Sequence, residues 1–479
     1  MLMKRFLLLS LICFGSSLVA EDLLEIYQLS IQNDTEFASA VVQDEIRKEN
    51  MRSALAPLLP NISVGMGGKS TSKWKTTYPS EFLNDPRSAF TGVTEETNAQ
   101  WQTSENPPGG WPAGWSASLS QTVLNIPTFI RYRTSQIENE SGKQTFISAQ
   151  QSLLIRVATA YFDALRARDS LEASIASEEA IKHQLDQAEQ RFEVGLSAIT
   201  DVLNARASYD NAIVGRIQQV NNLDIVFLTI QRLTGEPIAE LSRISTEYPI
   251  VDPDPNVEDL WVDFGMRNNP QIIQATNGYK ASKQRHWAQL ASYLPSISMS
   301  LSYSYSESPI NFGGNDLGYD SIRESIGVSY GFSINASFQG GSRLSQNRTS
   351  ALNKETSRLQ LVQQRQNIEE QIRRQFRTVT TEVARLAARK RAIESSEASL
   401  EATQTGYEVG TRNIVEVLQA QQNLFNARFN YESGVYDYIL GMLRLKQLAG
   451  VLDSAEIVEI NGYMDNENVV TRLNSMSGE

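Results

Sequence analysis

Two histidines are the first residues to weigh for chemistry in this 479-residue chain, because an imidazole can ligate a metal or move a proton near neutral pH. His183 and His286 each fall in a helical pattern without a metal-like companion, so no histidine metal site is expected. No glycine-rich phosphate loop, nucleophile elbow or Cys/His pair occurs. Carboxylates are plentiful, as on any acidic helical surface. Neither an enzymatic activity nor a cofactor is therefore expected. The informative spacing is of another kind. Phe192-Glu-Val-Gly195-Leu-Ser-Ala-Ile199-Thr-Asp201-Val202-Leu203-Asn-Ala205 is echoed in unbroken register by Tyr407-Glu-Val-Gly410-Thr-Arg-Asn-Ile414-Val-Glu416-Val417-Leu418-Gln-Ala420. Leu59-Pro60-Asn-Ile62-Ser63 and Leu294-Pro295-Ser-Ile297-Ser298 form a second pair in the same order. Two halves, 21–250 and 251–460, thus read as copies of one structural unit, followed by a polar tail over 461–479.

The first residues set the compartment. Lys4-Arg5 precedes an apolar run from Phe6 to Val19 that ends in small residues, a secretory signal peptide over 1–20 with cleavage after Ala20. The only cysteine, Cys13, lies inside it, and Ile12 lacks the small size that a lipoprotein site wants. Cleavage leaves neither disulfide nor thiol chemistry. It also leaves 41 basic against 55 acidic residues, a balance of −14 with no basic cluster, which argues against a nucleic-acid partner.

No segment after residue 20 is an apolar run long enough to span a bilayer as a helix. Four short stretches suit lipid in another way. Ser296 to Ser306 and Ser325 to Ile334 place an apolar side chain at every second position and Ser or Gly between. Strands at 61–72 and 115–124 follow the same rule more weakly. Such strands have one greasy face and one small polar face, as a transmembrane β-barrel requires; a soluble sandwich with one buried face would explain the strands but not the helices. A helical pattern runs from about Pro127 to Val194, with apolar Leu154, Val157, Tyr161, Ala164, Leu171, Ile175, Leu185, Ala188 and Phe192 near three-four spacing. Arg168 and Glu178 interrupt that seam. The pattern recurs over 342–409, and return helices are expected over 199–233 and 414–448. A helix of the longer kind extends roughly 100 Å at 1.5 Å per residue, and its seam implies coiled-coil packing. Gly195 and Gly410 suit helix C-caps.

Four strands per chain cannot close a barrel, since the smallest have about eight. An open edge cannot sit in lipid, because its backbone groups would be unpaired. The chain must therefore oligomerise, each copy giving four strands and two helical hairpins.

These stretches, with Gln184-Leu-Asp-Gln-Ala-Glu-Gln-Arg-Phe-Glu-Val-Gly and Gly340-Gly341, resemble the outer-membrane efflux protein family over roughly residues 22–450. The resemblance implies an α+β membrane protein: a homotrimer sharing one twelve-stranded barrel in the outer membrane of a Gram-negative bacterium, continued by a periplasmic coiled-coil barrel. It implies the exit duct of a tripartite efflux or type I secretion system. Its partners would be outer-membrane lipid, a periplasmic adaptor protein and an inner-membrane pump of resistance-nodulation-division or ABC type. Family gate positions match Gln184, Thr200 and Asp201 on the first hairpin and Tyr407 and Arg412 on the second. Gly195, Leu196, Gly410 and Thr411 match the adaptor-facing tips. Glu416 matches the first acidic ring of the lumen constriction, whereas the second ring position is Gln419, a departure that weakens the expected cation-binding character. Asp201 and Arg412 carry opposite charge at equivalent tips; one exposed pair contributes only about 0–1 kcal/mol, but three symmetry copies can hold a closed state that still opens.

Asn335 stands where the family carries Pro, and the segment 336–339 reads one residue longer. The stretch Lys73 to Gly114, with Trp74, Trp101 and Trp111, is an unusually long external loop without expected regular structure. The alternative from another class is a non-conducting envelope tether or surface adhesin on the same trimer. The small inner-face residues favour an open lumen instead.

Overall fold

The structure, a computed structural model of the chain, describes residues 21–67, 75–79, 101–105, 114–195, 198–245, 248–310, 321–336, 340–409, 411–412 and 414–471. The signal segment therefore lies outside the described residues. Short polar side chains set where the first helices begin. Helix α1 (Leu23–Asn33) opens with a capping box, in which the Asp22 carboxylate accepts the Glu25 N–H at 2.8 Å and Glu25 accepts the Asp22 N–H at 3.3 Å. Helix α2 (Thr35–Ser53) starts at buried Asp34, which accepts the Phe37 N–H at 2.6 Å and is neutralised by Arg156 at 2.8 Å. Strands β1 (Asn61–Gly67), β2 (Lys75–Pro79), β3 (Trp101–Glu105) and β4 (Gly114–Leu124) follow.

Helix α3 (Ile126–Glu193) runs for 68 residues from Asn125, whose side chain accepts the Thr128 N–H at 3.2 Å. Helix α4 (Ile199–Thr234) returns and closes at Gly235, whose φ of 76° is left-handed and costs a glycine little. After β5 (Glu240–Ile244) come α5 (Glu258–Asn268) and α6 (Pro270–Ala291), divided at Asn269. There the Asn269 side chain accepts the N–H groups of Gln271 and Ile272 at 2.9 and 3.3 Å, and Pro270 takes the first helical position, where no N–H is needed. Strands β6 (Ser296–Ile310) and β7 (Ser321–Asn335), helices α7 (Gly340–Glu408, 69 residues), α8 (Ile414–Ala449) and α9 (Ala455–Asn461), and strand β8 (Met464–Thr471) complete the order.

The residues form two compact units, each drawn from both halves of the sequence: Met1–Lys48, Ile137–Lys280 and Glu355–Glu479 in one, Glu49–Gln136 and Ala281–Lys354 in the other. The second unit holds an antiparallel four-stranded sheet of order β1-β4-β6-β7. Registered neighbours share a face, so Ser63, Ser118, Ser302 and Ser329 form one row across all four strands. Hydroxyls pair along it, Ser63 with Ser118 at 2.7 Å and Ser302 with Ser329 at 2.6 Å, and Ser298 pairs with Ser333 at 2.6 Å. The opposite face is apolar and uncovered within the chain: Met66 is 87% and Tyr330 86% exposed, and Ile62, Val64, Ile326, Val328, Phe332 and Ile334 are exposed beside them. The Trp115 and Tyr303 rings meet within that face, tilted, with centroids 4.8 Å apart.

Strands β6 and β7 each reach 15 residues, beyond the alternating spans read from the sequence. Backbone pairing persists through Glu307↔Glu324 and Ser308↔Arg323, where the apolar alternation has stopped. Residues 68–72 of the first expected strand lie outside the described residues. Within the stretch expected as a structureless loop, β2 and β3 pair antiparallel from Lys75↔Glu105 to Pro79↔Trp101; Trp74 and Trp111 lie outside the described residues. Among those described, no helix is long and apolar enough to cross a membrane.

In the first unit the main core joins Leu154, Val157, Tyr161 and Leu165 of α3 to Phe227 and Ile230 of α4 and to Tyr436, Ile439 and Leu443 of α8. A second core sets Trp261 and Ile272 against Ile368, Ile372, Leu445 and Ala449. The expected α3 seam is buried through Leu171 and at Leu185, where Val202 and Ala205 of α4 pack on it, but Ile175 and Phe192 are about two-fifths exposed (41% and 42%). The expected polar tail is corrected in part: β8 pairs with β5 from Glu240↔Thr471 to Ile244↔Met464, and Val470 is wholly buried.

Candidate functional site

The two hairpin ends carry most of the expected functional positions, and each end is shaped by how its helices stop and start. In the first, Gly195 takes φ 75° and donates its N–H to the Phe192 carbonyl at 2.9 Å. Leu196 lies outside the described residues. Helix α4 then begins after Ala198, which has no side-chain oxygen to cap it. The Asp201 carboxylate takes over part of that role, accepting the Ala198 N–H at 3.4 Å, and its negative charge sits at the positive end of the helix dipole. Thr200 beside it is exposed. Just behind, Leu185, Val202 and Ala205 are buried together, and Arg206 bonds Glu189 at 2.8 Å between the helices. Gln184 is half-buried, one residue before Leu185.

The second end closes differently. The Gly406 carbonyl accepts three donors: the Thr411 and Arg412 N–H groups at 2.8 and 3.1 Å and the Thr411 hydroxyl at 3.0 Å. Tyr407 occupies the next position of α7, and Gly410 lies outside the described residues. From the turn before α8, the Arg412 guanidinium bonds Glu416 in the first turn of that helix at 2.5 Å. Gly406 makes room for it, since a Cβ there would lie 2.7 Å from the Arg412 Cγ. The first hairpin has Arg191 at the equivalent position. Exposed Gln419 donates to Asn423 at 3.1 Å. Val417, Ala420 and Leu424 are buried behind, and Arg428 bonds Glu397 at 2.7 Å.

Within one chain, then, Arg412 is joined to Glu416, and Asp201 is joined to the start of its own helix. A position read as a gate link and a position read as a constriction ring are one ion pair. Among the described residues, no group of three or more His, Cys, Asp or Glu side chains is placed to hold a metal ion.

A buried polar network went unseen in the sequence. Asp169 of α3 accepts the Tyr436 hydroxyl of α8 at 2.8 Å and pairs with Arg243 of β5 at 3.0 Å. Arg243 also bonds Glu172 at 2.8 Å, and Glu172 bonds Arg168 at 3.0 Å. Burial raises the Asp169 pKa, with the Arg243 charge opposing it. Nearby Glu432 is raised to about 7, first by burial and then by the Asp169 charge. The available signal was the charged Arg168 breaking the α3 seam one residue before Asp169. The other break, Glu178, pairs with Arg216 of α4 at 2.6 Å.

Comparison with known proteins places this arrangement among relatives. The family model described as "Outer membrane efflux protein" matches residues 26–236 and 266–451. Outer membrane protein TolC of Escherichia coli (strain K12) is 30% identical over 466 residues, covering 95% of this chain and 87% of that protein. The alkaline protease secretion protein AprF of Pseudomonas aeruginosa is 25% identical over 439 residues, covering 91% and 85%. Among solved structures, the Campylobacter jejuni CmeC outer membrane channel superposes with a TM-score of 0.70 at 16% identity, over 93% of this chain and 90% of that one.

Proposed function

Because the chain belongs to the outer membrane efflux protein family, we propose that three copies of it form a duct through the outer membrane, each giving four strands to a twelve-stranded barrel. The protein is an outer-membrane exit duct for efflux or type I secretion, conducting substrates passively. The observation that carries the trimer is the sheet β1-β4-β6-β7, which ends in two unpaired edges among the described residues and bears a continuous apolar face. Such edges are tolerated in hydrocarbon only if the sheet closes on itself. Closure puts the apolar face toward lipid and the serine rows toward the lumen.

The helical hairpins extend into the periplasm, and residues 1–20 are removed on export. Gly195, Leu196, Gly410 and Thr411 lie at the tips that meet a periplasmic adaptor, which is itself tied to an inner-membrane pump. Gln184, Thr200, Asp201, Tyr407 and Arg412 link neighbouring hairpins and hold the periplasmic end narrow. Glu416 and Gln419 line the constriction. The capping role of Asp201 and the Arg412–Glu416 pair support this reading, because both orient charge at the hairpin ends.

Mass measurement in detergent joined to planar-bilayer conductance tests the proposal. A particle of three chains that conducts ions is expected. A folded monomer that persists in detergent, or a trimer without conductance, refutes it; the second outcome would point to a tether or adhesin, a reading that finds no support in the matched relatives.

A further inference from the structure

Outside the hairpin ends, the first unit contains a cavity of about 230 Å³ between the segment after β5, helix α5, helix α8 and helix α9. Its lining divides into two chemistries. The walls are aromatic and aliphatic: Tyr248, Trp261 and Tyr438 stand with Ile439, Met442 and Leu443. The rim is acidic, with Asp252, Asp254, Glu456 and Glu459 against the single cation Lys446.

The aromatic walls are held in place. Tyr438 donates its hydroxyl to the Val251 carbonyl at 2.7 Å and accepts the Val251 N–H at 3.2 Å. Trp261 is 3% exposed and donates its indole N–H to the Pro255 carbonyl at 2.8 Å. Tyr248 meets Tyr438 edge-on at 6.4 Å and Tyr463 at 5.2 Å. With the polar tips of Trp261 and Tyr438 engaged elsewhere, these residues are fixed in position around the cavity. On the rim, Lys446 is neutralised by Glu456. Asp252 is bonded to Asn256 at 3.4 Å. Asp254 and Glu459 are exposed, and neither forms an ion pair among the described residues.

Fixed aromatic rings and carboxylates without an ion-pair partner, lining one cavity, attract one class of ligand. The ring faces carry negative potential and favour a cation with a low cost of desolvation, which a substituted ammonium has and a small inorganic ion does not. The carboxylates add attraction that a neutral guest of the same shape does not feel. We propose that this cavity is a binding site for an organic cation, with Trp261, Tyr248 and Tyr438 as its walls and Asp254 and Glu459 as its charged rim. The site is separate from the duct reading and stands whether or not the chain conducts.

The test uses the full chain in detergent, labelled with 5-fluorotryptophan, with the Trp261 resonance assigned by its loss in Trp261→Phe. Benzyltrimethylammonium is the probe and neopentylbenzene its neutral isostere. The cation should shift the Trp261 resonance saturably at low salt. Asp254→Asn with Glu459→Gln, both at exposed positions, should weaken that binding about ten-fold. The neutral isostere should bind at least ten-fold more weakly than the cation. No saturable shift, equal binding of the isostere, or unchanged affinity in the doubly substituted chain would each overturn the proposal. Circular dichroism of the variants checks that the fold is kept.

Discussion

Replacing Glu432 with Gln should stabilise the protein at mildly alkaline pH and leave it nearly unchanged in acid. Glu432 sits in α8 beside Asp169, Glu172, Arg243 and Arg428, and burial together with the Asp169 charge raises it to about 7 from an ordinary value of 4.5. The folded protein therefore holds this proton where the unfolded chain has released it. The associated stability is fully present below pH 4.5 and is lost as pH rises through about 7. Each pKa unit corresponds to about 1.4 kcal/mol, so ionised Glu432 costs about 2–3 kcal/mol per chain once residual solvent screening is allowed for. Asp169 is raised as well, chiefly by burial, and so acts in the same direction in both proteins. Denaturant unfolding of the full chain in detergent, followed by circular dichroism from about pH 5 to about pH 8, measures the effect. The midpoint of the wild type should fall across that range, and that of Glu432→Gln should fall less, the two curves meeting near the acid end. Parallel curves would show that folded Glu432 is already ionised at pH 5, and the burial argument would be wrong.

The hairpin ends supply three further expectations. Tyr407→Phe combined with Arg412→Glu should raise single-channel conductance several-fold, because it removes a hydroxyl, breaks the Arg412–Glu416 pair and inverts a charge; unchanged conductance in a folded trimer would place the closure elsewhere. Glu416→Gln should lower cation preference, read as reversal potential in a salt gradient, with Gln419→Asp raising it; a shift only with the second substitution would assign the constriction to position 419. Gly406→Ala should act through Arg412 without touching any charge, since the new methyl would lie 2.7 Å from the Arg412 Cγ and 3.3 Å from the Thr411 hydroxyl. Its conductance should move toward that of Arg412→Ala, and a wild-type value would mean that Arg412 repositions freely.

The parts legible in the sequence were those with a local cause. Period-two alternation in Ser-Ile-Ser-Met-Ser-Leu marked strand material because side-chain direction alternates along any strand. Gly195 announced a helix end because its left-handed backbone suits few other residues. What stayed hidden has a non-local cause. Asp169, Arg243 and Tyr436 meet from three distant segments, and none has a neighbour that declares the contact. Strand β8 reads as polar tail because only its pairing with β5 explains it. At the candidate site, the positions follow from resemblance to a family; the four-residue separation of Arg412 and Glu416 does not by itself declare their pair, because Arg412 lies in the turn before α8 begins at Ile414.

The short strand β5 has a bearing on how the molecule comes into being. One of its edges receives β8, and Leu241 near its start also bridges Glu21 in parallel, so the first and last described segments converge on it. Asn461 ties them further, accepting the Leu24 N–H at 3.1 Å and donating to Asp22 at 2.7 Å. A polypeptide exported from its N-terminus thus carries α1 across the membrane long before residues 455–471 arrive to cover it. Contacts of such long sequence separation form late, because the intervening loop must close first. Until then Leu23 and Ile26, wholly buried in the finished protein, lack part of their cover. The joint between the two ends is therefore a point of assembly control: translocation must finish before this unit can lock, and a chain shortened by its last dozen or so described residues should remain dependent on chaperones.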